Sequence, residues 1–295
     1  MTLATTSARS DSLARQSFRA FVSDRFGVLF GLIFIGFVLV AIFAPLIAPH
    51  DPNASSLLRR LQPPAWMKGG DWAYPLGCDA LGRDTLSRII FGARISIFIG
   101  VVVVLIAGVV GTIMGLLAGY FGGVVDMVIS RTVDVLLAFP LLIFAIGLMG
   151  MMGPGLGNII LALVLFEWVI TCRLVRGQTL ELRNREYVEA ADAIGLSPLR
   201  TMFVEILPNI LSSVVVVATL RVGTIIIVEA SLSFLGIGVQ PPTPAWGTMI
   251  ADGRVFMLAA WWVSAFPGVA IFILVLSANL SGQSLRDAFD PRLSR

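Results

Sequence analysis

Three ionisable residues interrupt otherwise apolar runs of this chain: Glu167, Arg221 and Glu229. A charge in hydrocarbon costs at least about 2.5–3.5 kcal/mol on insertion scales, so such groups face a partner or a watery cavity. Arg221 and Glu229 are eight residues apart, two turns up one side of a helix. They are read as pore-lining groups, as inter-helix partners of Glu167 or of a second chain, or as snorkelling ends of a span. Bond-breaking chemistry inside a bilayer asks for more: a serine with a histidine, paired aspartates at mid-span, or a His-Glu-x-x-His zinc site. His50 is the single histidine and follows the first apolar run as a solvated loop residue, and no aspartate falls mid-run. Cys78 and Cys172 form no recognisable pair, so neither a disulfide nor a metal site is expected. A phosphate loop needs Gly-Lys-Ser/Thr, whereas Lys68, the only lysine, precedes Gly69 and Gly70. The chain is therefore not read as an enzyme and holds no cofactor of its own; any ATP that drives it is bound elsewhere.

The elements that must position these residues are membrane spans. Of 295 residues, 57% are hydrophobic and 13% charged, about half the charge of a soluble domain. The net charge of +3 lies almost wholly in scattered arginines, with no block suited to nucleic acid. A helix needs about 20 apolar residues to cross the hydrocarbon. Six segments qualify, at 27–48, 95–120, 135–152, 158–172, 210–230 and 263–281. The first follows Arg9, Arg15, Arg19 and Arg25 and is too long for a signal peptide. The second carries Gly111, Gly115 and Gly119, whose spacing lets another helix approach closely. Pro140 predicts a kink in the third, and Gly153-Pro154-Gly155-Leu156-Gly157 a tight turn after it.

With the N-terminus inside, inner segments hold thirteen Lys/Arg and outer ones seven, six of these in the loop 49–94, where four aspartates accompany them. The bias predicts an all-α, six-span membrane protein with both termini in the cytoplasm. It divides into a tail 1–26, an anchor 27–48, a long outer loop 49–94, a five-helix core 95–282 with an inner loop 173–209, and a tail 283–295.

That inner loop reads as two short amphipathic helices. Tyr187, Ala191 and Ile194 share one face, and Arg185, Glu189 and Asp192 another. Gly195 supplies a left-handed C-terminal position with Leu196 packing back. Ser197 and Pro198 restart the chain as N-cap and first helical residue. Leu199, Met202, Phe203 and Ile206 form the second stripe, and Pro208 ends it. Exposed, each large apolar side chain would cost about 1.5–3 kcal/mol. The stripes therefore lie against the inner ends of the spans or in the headgroup region, or else in a groove of a soluble partner; periodicity leaves these open. At the inner start of the third span, Asp126, Arg131 and Asp134 suggest a structural surface pair between Arg131 and Asp134, or an extra contact for a soluble partner. Outside, Pro241-Pro242-Thr243-Pro244-Ala245-Trp246-Gly247 is a stiff strip, read as an interfacial brace or as a dock for an external protein; the long first loop is the other candidate dock.

Glu189-Ala190-Ala191, Gly195 and Leu207-Pro208 resemble the EAA loop of ABC importer permeases, with Glu205 in the place of that pattern's isoleucine. Leu76-Gly77-Cys78-Asp79-Ala80-Leu81-Gly82-Arg83-Asp84, Ser87-Arg88 and Gly92-Ala93-Arg94 resemble the outer loop of the dipeptide, oligopeptide and nickel branch, where Cys78 replaces a common threonine. Gly119-Tyr120-Phe121-Gly122-Gly123, Glu229 to Gly236 and Gln240 to Gly247 are similar to that branch too. The extra first span is similar to its second, C-type, subunit. The resemblance implies a type I importer permease fold in a bacterial inner membrane and import of di- or oligopeptides or a related small solute. It implies as partners a homologous second permease, one or two ABC ATPase subunits that bind ATP and Mg, and an extracytoplasmic substrate-binding protein, with lipid around them. Glu189, Ala190, Ala191 and Gly195 would then couple the ATPase to the pore, framed by Ser197, Pro198, Leu207 and Pro208. Pro241, Pro242, Pro244 and Trp246 would meet the binding protein. A self-contained channel or ion-driven carrier is the competing reading.

Overall fold

A computed structural model describes residues 24–289. The tail arginines Arg9, Arg15 and Arg19 and the last residues of the C-terminal tail lie outside them. The described residues form a helical bundle without named strands. Five helices are long and apolar enough to cross a membrane, and a bent pair makes a sixth if counted as one span.

Helix α1, Arg25–Ile42, is capped by Asp24, whose carboxylate accepts from Phe26 N at 3.1 Å. Asp24 also accepts from Ser284 Oγ at 2.5 Å, which ties the start of α1 to the last helix and, with the amide of Gly27, holds its carboxyl below the usual range. Helix α2, Thr85–Phe121, starts ten residues before the apolar run does. Asp84 caps it by accepting from Leu86 N at 3.3 Å and Ser87 N at 3.1 Å. Hydropathy stops at Arg94, whereas the helix continues into a polar outer knot. At about 1.5 Å per residue α2 is about 55 Å long, well over the roughly 30 Å hydrocarbon thickness.

The expected single third span is two helices, α3 (Gly123–Leu137) and α4 (Leu141–Met152), bent by 91°. Pro140 has no N–H to continue the ladder and drives Phe139 away from helical geometry. The ladder ends at Ala138, and Pro140 is extended (ψ 131°). Helix α5, Leu156–Arg183, runs far beyond the short fourth span expected at 158–172. Its second half survives because the arginines there pair with α3. Arg176 and Asp126 bind through two hydrogen bonds, Nη2 to Oδ2 at 2.7 Å being one, and Arg173 lies 3.8 Å from Asp134. The expected Arg131–Asp134 pair is not formed; Asp134 faces Arg173 instead, because α5 offers a cation across the interface.

Helix α6 (Glu186–Ala193) and a short π-helical stretch (Thr201–Ile206) lead into α7 (Leu207–Phe234), then α8 (Trp246–Gly253) and α9 (Trp262–Phe289). The glycine row of α2 packs on α5. An added Cβ would collide with Trp168 O at Gly111, sit 2.7 Å from Cys172 O at Gly115, and 2.6 Å from Thr179 Cβ at Gly119. Ile99, Val103, Met149, Leu163, Ile225 and Leu232 make the central core where α2, α4, α5 and α7 meet.

Candidate functional site

The inner end of the bundle carries the elbow. Helix α6 ends as the sequence predicts. Gly195 has φ 78°, its N–H donates to Asp192 O at 3.0 Å, and Leu196 N donates to Ala191 O at 3.1 Å. These two bonds form a Schellman close, and the left-handed turn suits glycine because it lacks a Cβ. Ser197 precedes Pro198 in extended geometry but makes no side-chain cap bond. Pro208 does not stop the second helix. The backbone widens into a π turn over Thr201–Ile206 and continues into α7. The wider register carries the chain past a proline ring that would press on the carbonyl four residues earlier.

Each expected apolar stripe divides between two faces. Val188, outside the expected first stripe, is buried with Met202 and Ile206, and the three join Leu116, Tyr120, Val175 and Ile210 in a core beneath the elbow; Ala191 is buried as well. Ile194 is 79% exposed, Leu199 62%, Phe203 43% and Tyr187 41%. Burial, with Glu205 nearby, pushes the Tyr187 hydroxyl up. Glu189 and Ala190 are exposed, whereas Ala191 is buried. Pro208 is exposed and Leu207 half-buried.

Sequence reasoning missed the clamp that fixes this elbow. Tyr120 OH donates to Asp192 Oδ1 at 3.0 Å, Thr201 Oγ1 approaches the same oxygen at 3.4 Å, and the Arg183 guanidinium lies 5.8 Å from the Tyr120 ring. One acceptor thus joins the end of α2 to both halves of the elbow. The tyrosine inside Gly119-Tyr120-Phe121-Gly122-Gly123 was its only sequence signal.

Glu167 and Arg221 form a bidentate pair between α5 and α7, with Arg221 Nε donating to Glu167 Oε2 at 2.8 Å. Glu167 is 3% exposed and Arg221 24%. The pair joins the two helices within this chain. Glu229 takes no part in it. It is fully buried and accepts from Ser96 Oγ at 3.2 Å and Ser233 Oγ at 2.8 Å, so it does not line an open path in this chain.

The outer loop before α2 is a polar knot. Asp79 accepts from Leu81 N at 2.8 Å, Arg83 N at 3.0 Å and Arg83 Nε at 2.6 Å, and Arg88 Nε lies 3.6 Å away. Arg83 also reaches Asp252 of α8 at 3.8 Å; burial raises the Asp252 carboxyl while Arg83 and Arg88 oppose that rise. His50 is half-buried rather than freely solvated. It stacks on Tyr74 at 4.4 Å, and its Nδ1 is 3.4 Å from Asp84. Cys78 is buried, and burial together with Asp84 and Asp79 pushes its thiol up to about 12. Cys78 and Cys172 are both free.

In the proline strip only Pro241 and Pro242 are exposed; Pro244 and Trp246 are buried. The structure corrects the surface role expected of Trp246. Its indole Nε1 donates to Ile89 O at 2.9 Å and its ring meets Phe37 edge-on, so it is a core peg between α8, α2 and α1. An indole fills such a site because both its apolar face and its single donor are satisfied there.

Comparison with known proteins fits this geometry. Residues 12–64 match the N-terminal TM domain of oligopeptide transport permease C. The dipeptide transport system permease protein DppC of Haemophilus influenzae is 45% identical over 281 residues, 95% of each chain. The di/tripeptide transport system permease protein DppC of Pseudomonas aeruginosa is 42% identical over 90% of this chain and 88% of its own. The glutathione transport system permease protein GsiD of Escherichia coli is 44% identical over 93% of this chain and 89% of its own. Residues 111–295 match the binding-protein-dependent transport system inner membrane component, and the chain belongs to that family.

Proposed function

We propose that the chain is the permease subunit of an ATP-driven importer of short peptides, with the elbow at 186–206 as the joint to a separate ATPase. The family makes it a transport component of the inner membrane. The relatives' names cover dipeptides, di/tripeptides and glutathione, itself a tripeptide, and short peptides are their common chemistry.

The observation that carries the reading is the two-sided elbow. A helix pair lying flat on lipid would have one polar and one apolar side. Here one apolar side is already spent on the chain's own spans, and a second, comprising Ile194, Leu199 and Phe203, projects away from them beside Glu189. Such a surface suits a groove with a basic rim. The arginine bias supports an elbow in the cytoplasm, with both termini there and the anchor, outer loop, core and tails arranged as expected.

The rest of the machine follows from this role. A homologous second permease completes the pore, and one or two ATPase chains bind ATP and Mg. An external binding protein delivers the peptide to the outer loops around Pro241 and Pro242. Closure of the ATPases pulls the elbow, and Tyr120, Asp192 and the core beneath it pass the movement to α2, α5 and α7, alternating access.

Reconstituted vesicles test this. Gly195→Arg has nothing within 4 Å of its Cβ inside the chain, so its own fold loses only the left-handed penalty of about 1–2 kcal/mol. That variant and Glu189→Lys are expected to insert normally but lose ATPase co-purification and transport. Normal transport by both, or transport by the chain alone as a channel or carrier, would overturn the proposal.

A further inference from the structure

Glu229 is a fully buried carboxyl five residues before the outer end of α7, held between two helices. One carboxyl oxygen accepts from Ser96 of α2 and the other from Ser233, one turn further along α7. Ser233 Oγ in turn accepts from Val239 N at 3.2 Å, in the loop that leads directly to exposed Gln240, Pro241 and Pro242. No ion pair reaches Glu229 among the described residues; it is held by hydroxyls alone. Its two oxygens bridge groups from two spans, a geometry that alanine cannot supply and that glutamine reproduces by accepting with its oxygen and donating with its nitrogen.

The same turn of α7 is gripped from outside. A Cβ at Gly238 would strike Ser233, and one at Gly247 would strike the carbonyl of Ala230. On the far side of the strip, Trp246 is pegged to α2 through Ile89 O. Both ends of the strip are therefore fixed to the α2–α7 interface, with no slack between loop and helix.

We propose that Glu229 is a positioning residue that registers the outer proline strip to α2 and α7, so that a load placed on the strip from outside is passed into the spans. The inference rests on the reading of that strip as the dock for the binding protein, and it assigns the wiring behind the dock.

The test uses the complete importer in vesicles, measuring ATP hydrolysis with and without peptide-loaded binding protein. Glu229→Ala is expected to assemble and to keep the binding-protein-independent rate within about twofold. Stimulation by loaded binding protein should fall at least about tenfold. Glu229→Gln should restore it, and Ser96→Ala, which cuts one link only, should fall between. Full stimulation in Glu229→Ala would overturn the inference. So would an equal loss of both rates without rescue by glutamine, which would make Glu229 a scaffold residue only. If Glu229→Ala fails to assemble, Ser96→Ala decides: unimpaired stimulation there also overturns it. Absence of stimulation in the unmodified complex would instead count against the importer reading itself.

Discussion

Replacing Arg221 by methionine leaves Glu167 buried at 3% exposure without the two guanidinium donors that satisfy it. Removing one member of a buried pair costs about 3–5 kcal/mol, because the remaining charge stays desolvated and unpaired. Arg221 is itself 24% exposed, and its less complete desolvation puts the expected loss near the lower end, about 3 kcal/mol. Glu167→Gln in the same background removes the stranded charge and is expected to recover about 2 kcal/mol. The two changes therefore couple strongly, in the sense of a double-mutant cycle. The assay is reversible unfolding in bicelles, followed by alkylation of the buried free thiols Cys78 and Cys172 as the fold opens. A loss below about 1 kcal/mol for Arg221→Met, or a double variant whose loss equals the sum of the singles, would refute the reasoning. It would mean that the pair is watered from the pore side and holds nothing together.

Four further outcomes follow from the same structure. Gly115→Ala places a carbon 2.7 Å from Cys172 O and should cost about 1–3 kcal/mol in the same unfolding assay, whereas Gly108→Ala, which meets nothing within 4 Å, should be neutral. The Cys78 thiol, raised from 9.0 to about 12, should be alkylated ~1,000-fold more slowly at pH 8 than an unperturbed thiol, and faster only after unfolding. Because its folded value lies above its unfolded one, the stability it contributes is complete below pH 9 and is lost as pH rises from 9 towards 12, which unfolding at stepped pH would read. Trp246→Phe removes the indole bond to Ile89 O, which keeps its own helical partner, and leaves a gap where the larger ring stood; it should cost about 1–3 kcal/mol without creating a new exposed surface.

Local chemistry was legible where one residue type dictates one geometry. Gly195 announced its left-handed turn, the glycine row of α2 announced close packing, and Pro140 announced a kink. What the sequence leaves unsaid is set by partners distant in the chain. Nothing near Pro140 distinguishes a kink from a 91° corner, because the angle depends on where α5 places Arg173 and Arg176 for α3 to meet. The length of α2 was hidden for a similar reason: its first charged turns are satisfied by Asp79 and by Pro52 O, so hydropathy ended where the helix did not. In the elbow the stripes were only partly right: Val188, outside the first stripe, is buried, and both stripes divide between two faces. Met202 and Phe203 are adjacent in sequence, and only the core beneath α6 decides that the first is inward and the second outward. Trp246 looked like an interfacial residue because its neighbours are prolines, while its hydrogen-bond partner lies in a helix that begins at Thr85.

The account depends on the outward face of the elbow meeting a soluble chain. A photoreactive residue placed in turn at Ile194, Phe203, Met202 and Ile206 of the assembled membrane complex tests this directly. Positions 194 and 203, exposed here, are expected to cross-link to the ATPase chain, and positions 202 and 206, buried here, to the permease's own helices. Cross-links from 194 and 203 to lipid alone would contradict the account.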